Sequence, residues 1–172
     1  MPPVLRPATA ADATAVAAIW REGWRDGHLG RVPDELVAVR TPESFLARAR
    51  EHVDQTVVAD TGDDIAGFVI VIGDEVEQVY VAERHRGSGV AGLLLAEAER
   101  RVAEAGHSRA WLAVVAGNTR ARRFYERCGW IDEGPFDHEA PVAGSTITVP
   151  AHRYVKHLTG NARARAESPR RP

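Results

Sequence analysis

A single cysteine, Cys128, leaves the chain no internal disulfide, and a reducing, cytoplasmic setting is the expectation. Net charge is nearly absent as well. Lys and Arg number 22 against 24 Asp and Glu, a balance of −2 that gives neither nucleic acid nor an anionic membrane an electrostatic reason to bind. No apolar run approaches a membrane span, and the segment from Met1 to Pro7 lacks the apolar stretch of a signal peptide. The seven histidines include no His-Glu-x-x-His and no other metal spacing, so no metal is expected. What remains is ordinary for a soluble protein, 44% apolar and 27% charged. A length of 172 residues allows one domain with a substantial core and hardly two.

The most informative stretch is Arg86-Gly-Ser-Gly-Val-Ala91. The alternating segment Val76 to Val81 precedes it and reads as a strand; Val90, Leu93, Leu94, Ala98 and Val102 follow at helical spacing. Glycines at such a joint let the backbone approach a ligand, and the first turn of the helix aims unpaired N–H groups and a positive dipole end at an anion. The joint is built to hold phosphate. Gly87, Gly89 and Gly92 also spell G-x-G-x-x-G, the dinucleotide fingerprint. That reading asks for a carboxylate at the end of the next strand, where Ala116-Gly-Asn-Thr-Arg120 has none. A P-loop asks for Gly-Lys-Ser/Thr, whereas Gly89 is followed by Val90.

Along the chain, Val4 to Arg6 reads as a strand, and Thr9 to Asp12 as a capping box opening a helix with Val16, Ile19 and Trp20 on one face. Gly23 to Asp34, containing Trp24, Asp26, His28 and Arg31, reads as a break. A second helix is expected over Pro42 to His52, with Thr41 as N-cap. Gln55 to Asp60 and Ile65 to Ile72 read as a hairpin. After the strand–loop–helix unit come a strand over Arg109 to Val115, a helix over Thr119 to Cys128 closed by Gly129, and strands over Trp130 to Asp137 and Thr146 to Leu158. Pro150 points to an edge or bulge in the last strand. The order fits one mixed sheet with helices on both faces, an α+β sandwich over residues 1–158. Residues 159–172, with four arginines in the last twelve, read as a disordered basic tail.

The block Asn118 to Trp130 carries a second signal, with Ala121, Tyr125 and Cys128 on one helical face beside Phe124. Here the sequence resembles the GNAT superfamily of acyl-CoA-dependent N-acyltransferases. Arg86, Gly89 and Ala91 match its Arg/Gln-x-x-Gly-x-Gly/Ala loop. Asn118, Ala121, Phe124, Tyr125 and Gly129 match its next block, with Trp130 in place of Phe. Leu5, Arg6 and Asp12 are similar to its opening, so the likeness runs from about Val4 to Leu158. It implies a central mixed sheet of about seven strands in which two parallel strands, Glu75–Val81 and Arg109–Val115, splay apart to take acetyl-CoA as acyl donor. The implied cofactor contacts are backbone amides of Arg86, Gly87, Ser88, Gly89, Val90 and Ala91 for the diphosphate, and Val79, Tyr80 and Val81 for the pantetheine arm, with Asn118, Ala121 and Tyr125 beside it.

The resemblance further implies transfer to a primary amine, which must lose a proton first. A lysine-like amine with pKa near 10.4 is almost wholly protonated at pH 7. Glu75 and Glu77, two apart on the strand before the loop, are the candidate general bases, Glu77 preferred as nearer the splay. Tyr125 matches the family tyrosine that protonates the departing thiolate. Cys128 has no charged partner to activate it and is read as core. Trp24 and His28 lie where such proteins shape an acceptor pocket. The alternative is a domain that binds acyl-CoA without turnover. The family is often dimeric, so a homodimer is a further expectation.

Overall fold

A computed structural model describes residues 2–159; all of the expected tail but Thr159 lies outside the described residues. Seven strands form one sheet in the order β1-β2-β3-β4-β5-β7-β6: β1 Val4–Pro7, β2 Thr56–Asp60, β3 Ile65–Ile72, β4 Glu75–Val81, β5 Arg109–Val115, β6 Ile131–Val142 and β7 Ser145–His157. Neighbours are antiparallel except β4 and β5, which run parallel. The helices are α1 Ala13–His28, α2 Asp34–Val39, α3 Pro42–Glu51, α4 Val90–Glu104 and α5 Thr119–Arg127.

Alternation along β2 and β3 builds two cores at once. Val58, Phe68 and Ile70 join Trp20, Trp24, Leu36 and Phe45 of α1–α3 on one face. Val57, Ala59 and Val69 join Leu94, Leu95, Ala98 and Tyr125 of α4 and α5 on the other. Strands covered on both faces have no polar side, which is why the run Ile65 to Ile72 is almost continuously apolar. This is the expected α+β sandwich. Among the described residues no helix is long and apolar enough to cross a membrane.

One expectation is overturned at α1. The helix does not break at Gly23 but runs on to His28. A Cβ at Gly23 would stand 2.3 Å from Tyr80 Cδ1, and one at Gly27 would stand 2.7 Å from Asn118 Nδ2. These glycines therefore mark close packing of α1 over β4 and the start of α5, at a helix-propensity cost of about 1 kcal/mol each. The short α2 begins at Asp34, where the expected break ends, in a stretch for which no element is expected, and is held chiefly by buried Leu36.

The entrance to α1 is fixed electrostatically. Arg6 of β1 donates from Nη1 and Nη2 to the Asp12 carboxylate at 2.8 and 3.0 Å and from Nε to Asp60 Oδ2 at 2.8 Å. Asp12 also accepts from the Thr9 backbone N–H at 2.8 Å. The Arg6 guanidinium holds the Asp12 carboxyl at about 2, below the ordinary aspartate value, against the opposing effect of burial. That stabilisation is complete above the unfolded-state value near 4 and is lost as pH falls through about 2. Asp12→Asn is expected to lower stability at pH 7 by about 1–2 kcal/mol and to shrink the acid dependence of Tm between pH 4 and 2. Equal Tm profiles for the two proteins would remove Asp12 from this role.

At the far edge, β6 runs to Val142, five residues past its expected end. Its register shifts between Asp132 and Pro135, with Gly134 at φ +103°, so a bulge absorbs the Gly-Pro pair. The pairing of β7 with β5 ends at Ala151 against Val115. From Ser145 to Pro150 only β6 lies alongside, which gives Pro150 the one-sided position it needs. This β6–β7 arm reaches beyond β5 and packs Ala140 and Val149 onto the α1 face.

Candidate active site

The parallel strands β4 and β5 share a single register pair, Glu75 with Trp111, and then diverge. Each therefore turns a row of backbone N–H and C=O groups into the gap between them. Within β4, Ile70 pairs with Gln78 and Val71 with Val76, so Glu77 is the extra residue of a bulge. The bulge explains why Val76 and Val79, three apart, both face the α4 core.

A groove of about 620 Å³ lies at the open end of the gap, bordered by Val79 to Val81, the 86–92 loop and the start of α5. Gly87 has φ +79° and Gly89, the N-cap of α4, has φ +88°, left-handed values that favour glycine. A Cβ at Gly87, Gly89 or Gly92 would meet nothing within 4 Å, so this backbone faces open space. Among the described residues no acceptor is found for the amides of residues 87 to 92; the first bond into α4 is Leu93 N–H to Gly89 O at 3.2 Å. Ser88 Oγ is turned back onto His85 O. Arg86 is held by Asp26 of α1, Nη2 to Oδ2 at 2.9 Å. Four arginines, Arg31, Arg86, Arg120 and Arg127, border the groove against one aspartate, Asp26, making it cationic in a protein of charge −2. The residues thus fit an extended polyanion with a phosphate-bearing end.

Behind the groove, through shared walls at Tyr80, Asn118 and Tyr125, lies a cavity of about 130 Å³. Glu75 and Glu77 both line it, with Trp24, His28, Arg40 and Arg48. Burial pushes the Glu75 carboxyl up to about 7, helped by the charges of Glu77 and Asp74 and opposed by Arg153. Burial raises the Tyr125 phenol well above its ordinary value, and the nearby Tyr80 adds to this. Tyr125 packs between Phe124, Trp130 and Tyr154, with ring centroids 5.3, 6.2 and 6.2 Å away. His28 stacks on Trp24 at 4.7 Å, and its Nδ1 donates to Trp24 O at 2.8 Å, since a carbonyl only accepts. Burial lowers His28 to about 4, so at neutral pH it is uncharged, with Nε2 as an acceptor.

The sequence-predicted residues are therefore brought together. Val79 to Val81 and Arg86 to Ala91, apart from Ser88, border the groove, and Tyr125, Asn118 and Ala121 stand where groove and cavity meet. Asn118 spends its Oδ1 on the Ala121 N–H at 3.2 Å, as N-cap of α5. Cys128 packs against the α4 core, and burial raises its thiol, as a core role requires. Arg40 and Arg48 went unnoticed in the sequence. Arg40 follows the short α2 and Arg48 sits within α3; nothing local marks either as inward, and only the tertiary fold turns them so. Among the described residues no group of three or more His, Cys, Asp or Glu is placed to hold a metal ion.

The Acetyltransferase (GNAT) family matches the chain over residues 15–130, a span that includes both the glycine loop and nearly all of α1. No curated protein matches the sequence. Among solved structures, a GCN5-related N-acetyltransferase from Rhodopseudomonas palustris is 21% identical with a TM-score of 0.71, the match covering 92% of this chain and 97% of that one. PaiA N-acetyltransferase from Thermoplasma acidophilum, solved in complex with coenzyme A, is 18% identical with a TM-score of 0.68, covering 92% and 100%. YncA from Salmonella typhimurium, solved with acetyl-CoA, is 17% identical with a TM-score of 0.66, covering 93% and 96%. At these identities the likeness concerns the fold.

Proposed function

The chain belongs to the Acetyltransferase (GNAT) family, and from that premise we propose that it moves an acetyl group from acetyl-CoA to a primary amine of a small molecule or peptide by direct attack in a ternary complex. One observation carries the reading. The gap between β4 and β5 runs from a loop of unclaimed amides to a cavity holding a carboxyl with pKa about 7.

In this reading the amides of residues 87 to 91 receive the diphosphate, Arg86 adds charge, and the free edge of β4 at Val79 to Val81 pairs with the pantetheine amides. Only Nδ2 of Asn118 is left for the arm, because Oδ1 caps α5. Acetyl-CoA supplies a thioester, at which the N–C bond forms as the C–S bond breaks and its electron pair leaves on sulfur. Glu75 takes the ammonium proton, directly or through water. The sequence favoured Glu77; the raised pKa of Glu75 moves the assignment, because a base works best when its pKa lies near the operating pH. Glu77 then serves by keeping that pKa high. Tyr125, held protonated by burial, donates to the departing sulfur and is restored by the second proton that the nitrogen sheds as the amide forms. Trp24 and neutral His28 shape the acceptor side.

The test is amine-dependent release of free thiol from acetyl-CoA, set beside calorimetric binding of acetyl-CoA. Binding without release from any amine would favour the non-catalytic alternative. Tyr125→Phe is expected to lower kcat about 100-fold while leaving the acetyl-CoA KM within about twofold, because the hydroxyl acts on the forming thiolate. Unchanged kcat would strip Tyr125 of the donor role. Dimerisation and a cytoplasmic location belong to the same proposal, and sedimentation and fractionation are their tests.

A further inference from the structure

Two cations, Arg40 buried and Arg48 half-buried, have no part in the chemistry so far. Arg40, at the end of α2, is 7% exposed; its Nη2 donates to Pro141 O at 2.5 Å, and its Nε has no acceptor among the described residues. Arg48 of α3 lies with its guanidinium carbon 4.3 Å from the ring centroid of fully buried Trp20. Both line the 130 Å³ cavity behind the groove. Among the described residues neither is ion-paired with a carboxylate; Glu77 influences both, but from beyond contact.

Buried charges in proteins are ordinarily paired, because desolvation without a counter-ion is costly. A structural role explains little of this pair. The bond from Arg40 to Pro141 O ties down the β6–β7 arm, yet a neutral donor would serve it equally well. The stacking of Arg48 on Trp20 offsets part of the desolvation and leaves the edge of the guanidinium, where its N–H groups lie, unclaimed. Arg40 stays cationic at neutral pH, since burial lowers it only to about 10, and a half-buried arginine such as Arg48 keeps its charge there as guanidinium groups do in proteins. The two histidines of the cavity, His28 and His138, are both driven toward their neutral forms by burial and bring no competing charge.

We infer that the missing counter-ion belongs to the acetyl acceptor: a small zwitterion whose amine meets Glu75 at the thioester while an anionic oxyacid group, a carboxylate or a phosphorus oxyacid, is held by Arg40 and Arg48. This inference rests on the acetyltransferase reading and narrows its substrate class. The cavity volume agrees, because 130 Å³ is well under the roughly 300–1,000 Å³ of ordinary ligand pockets and suits an acceptor of amino-acid size. A peptide N-terminus would have to carry the rest of its chain past these walls, and a simple amine would leave both cations unpaired.

The experiment measures kcat/KM for matched acceptors: small α- and ω-amino acids, the carboxamide of each, and the aminophosphonate and aminophosphinate analogues. The carboxylate or phosphorus-acid member is expected to exceed its carboxamide by roughly 10- to 100-fold, the range for losing a charged hydrogen-bond partner. The preferred arm identifies the oxyacid. Arg40→Met and Arg48→Met should each collapse that ratio through the acceptor KM, with the acetyl-CoA KM unchanged, and Arg48→Lys should restore part of it. A ratio between two acceptors on one preparation is insensitive to how much of a variant has folded. Parity between acid and carboxamide in the parent protein would overturn the inference and leave the acetyltransferase standing. So would acetyl-CoA binding with no zwitterion turned over. Absence of acetyl-CoA binding by calorimetry would instead fell the premise on which the inference rests.

Discussion

With glutamate in place of Gly89, acetyl-CoA binding is expected to fall by more than about 100-fold while the protein remains folded. Gly89 sits at φ +88° as the N-cap of α4, and a side chain there would point into open groove. Folding therefore suffers only the left-handed backbone cost, roughly 1–2 kcal/mol. Binding suffers far more, because a carboxylate would stand among the amides proposed to receive the diphosphate. Like charge in a partly dehydrated site costs several-fold more than at an open surface. Gly89→Ala separates the contributions, since it adds the backbone strain without the charge and should lose much less affinity. Calorimetry on the two variants decides the matter; if Gly89→Glu binds acetyl-CoA as tightly as the parent, the loop is not the diphosphate site.

Glu75→Gln is expected to reduce kcat by about 100- to 10,000-fold, the usual worth of a general base, and to remove the acidic limb of the rate profile. With the carboxyl pushed up to about 7, the parent protein should gain activity as pH rises through that value, because only the ionised form accepts a proton. The same shift has a signature in stability. A carboxyl whose folded pKa is raised stabilises the protein fully below its unfolded value near 4.5, and that contribution is lost as pH climbs through about 7. The parent should therefore lose stability across this interval, by up to about 1.4 kcal/mol per pH unit, and the glutamine variant should not. If Glu77→Gln removes the limb and Glu75→Gln keeps it, the base has been assigned to the wrong carboxylate.

Much of this was legible in the residues. The bounds of β3 and β5 coincide with the expected strands, and β4 starts one residue before the alternating segment Val76 to Val81, because apolar runs between turn residues leave few other options. The helix from Thr119 and its Asn118 cap were readable for a similar reason, since a cap is a local interaction. Gly23 and Gly27 misled, because a glycine required by a distant neighbour looks the same in sequence as one that ends a helix. Here the neighbours are Tyr80 and Asn118. The ranking of Glu75 and Glu77 was beyond sequence too, for it depends on which carboxylate the fold desolvates. Arg40 and Arg48 illustrate the same limit, as charge in sequence says nothing about depth.

The parting of β4 from β5 has one more consequence. An ordinary sheet has two rims, and this one carries a second pair in its interior, where the backbone polar groups of two central strands lack mates. An extended amide-bearing guest would act as an eighth strand on loan. Its supply in the cell would then set how complete the architecture is from moment to moment, so that a protein starved of its guest should soften first along this seam.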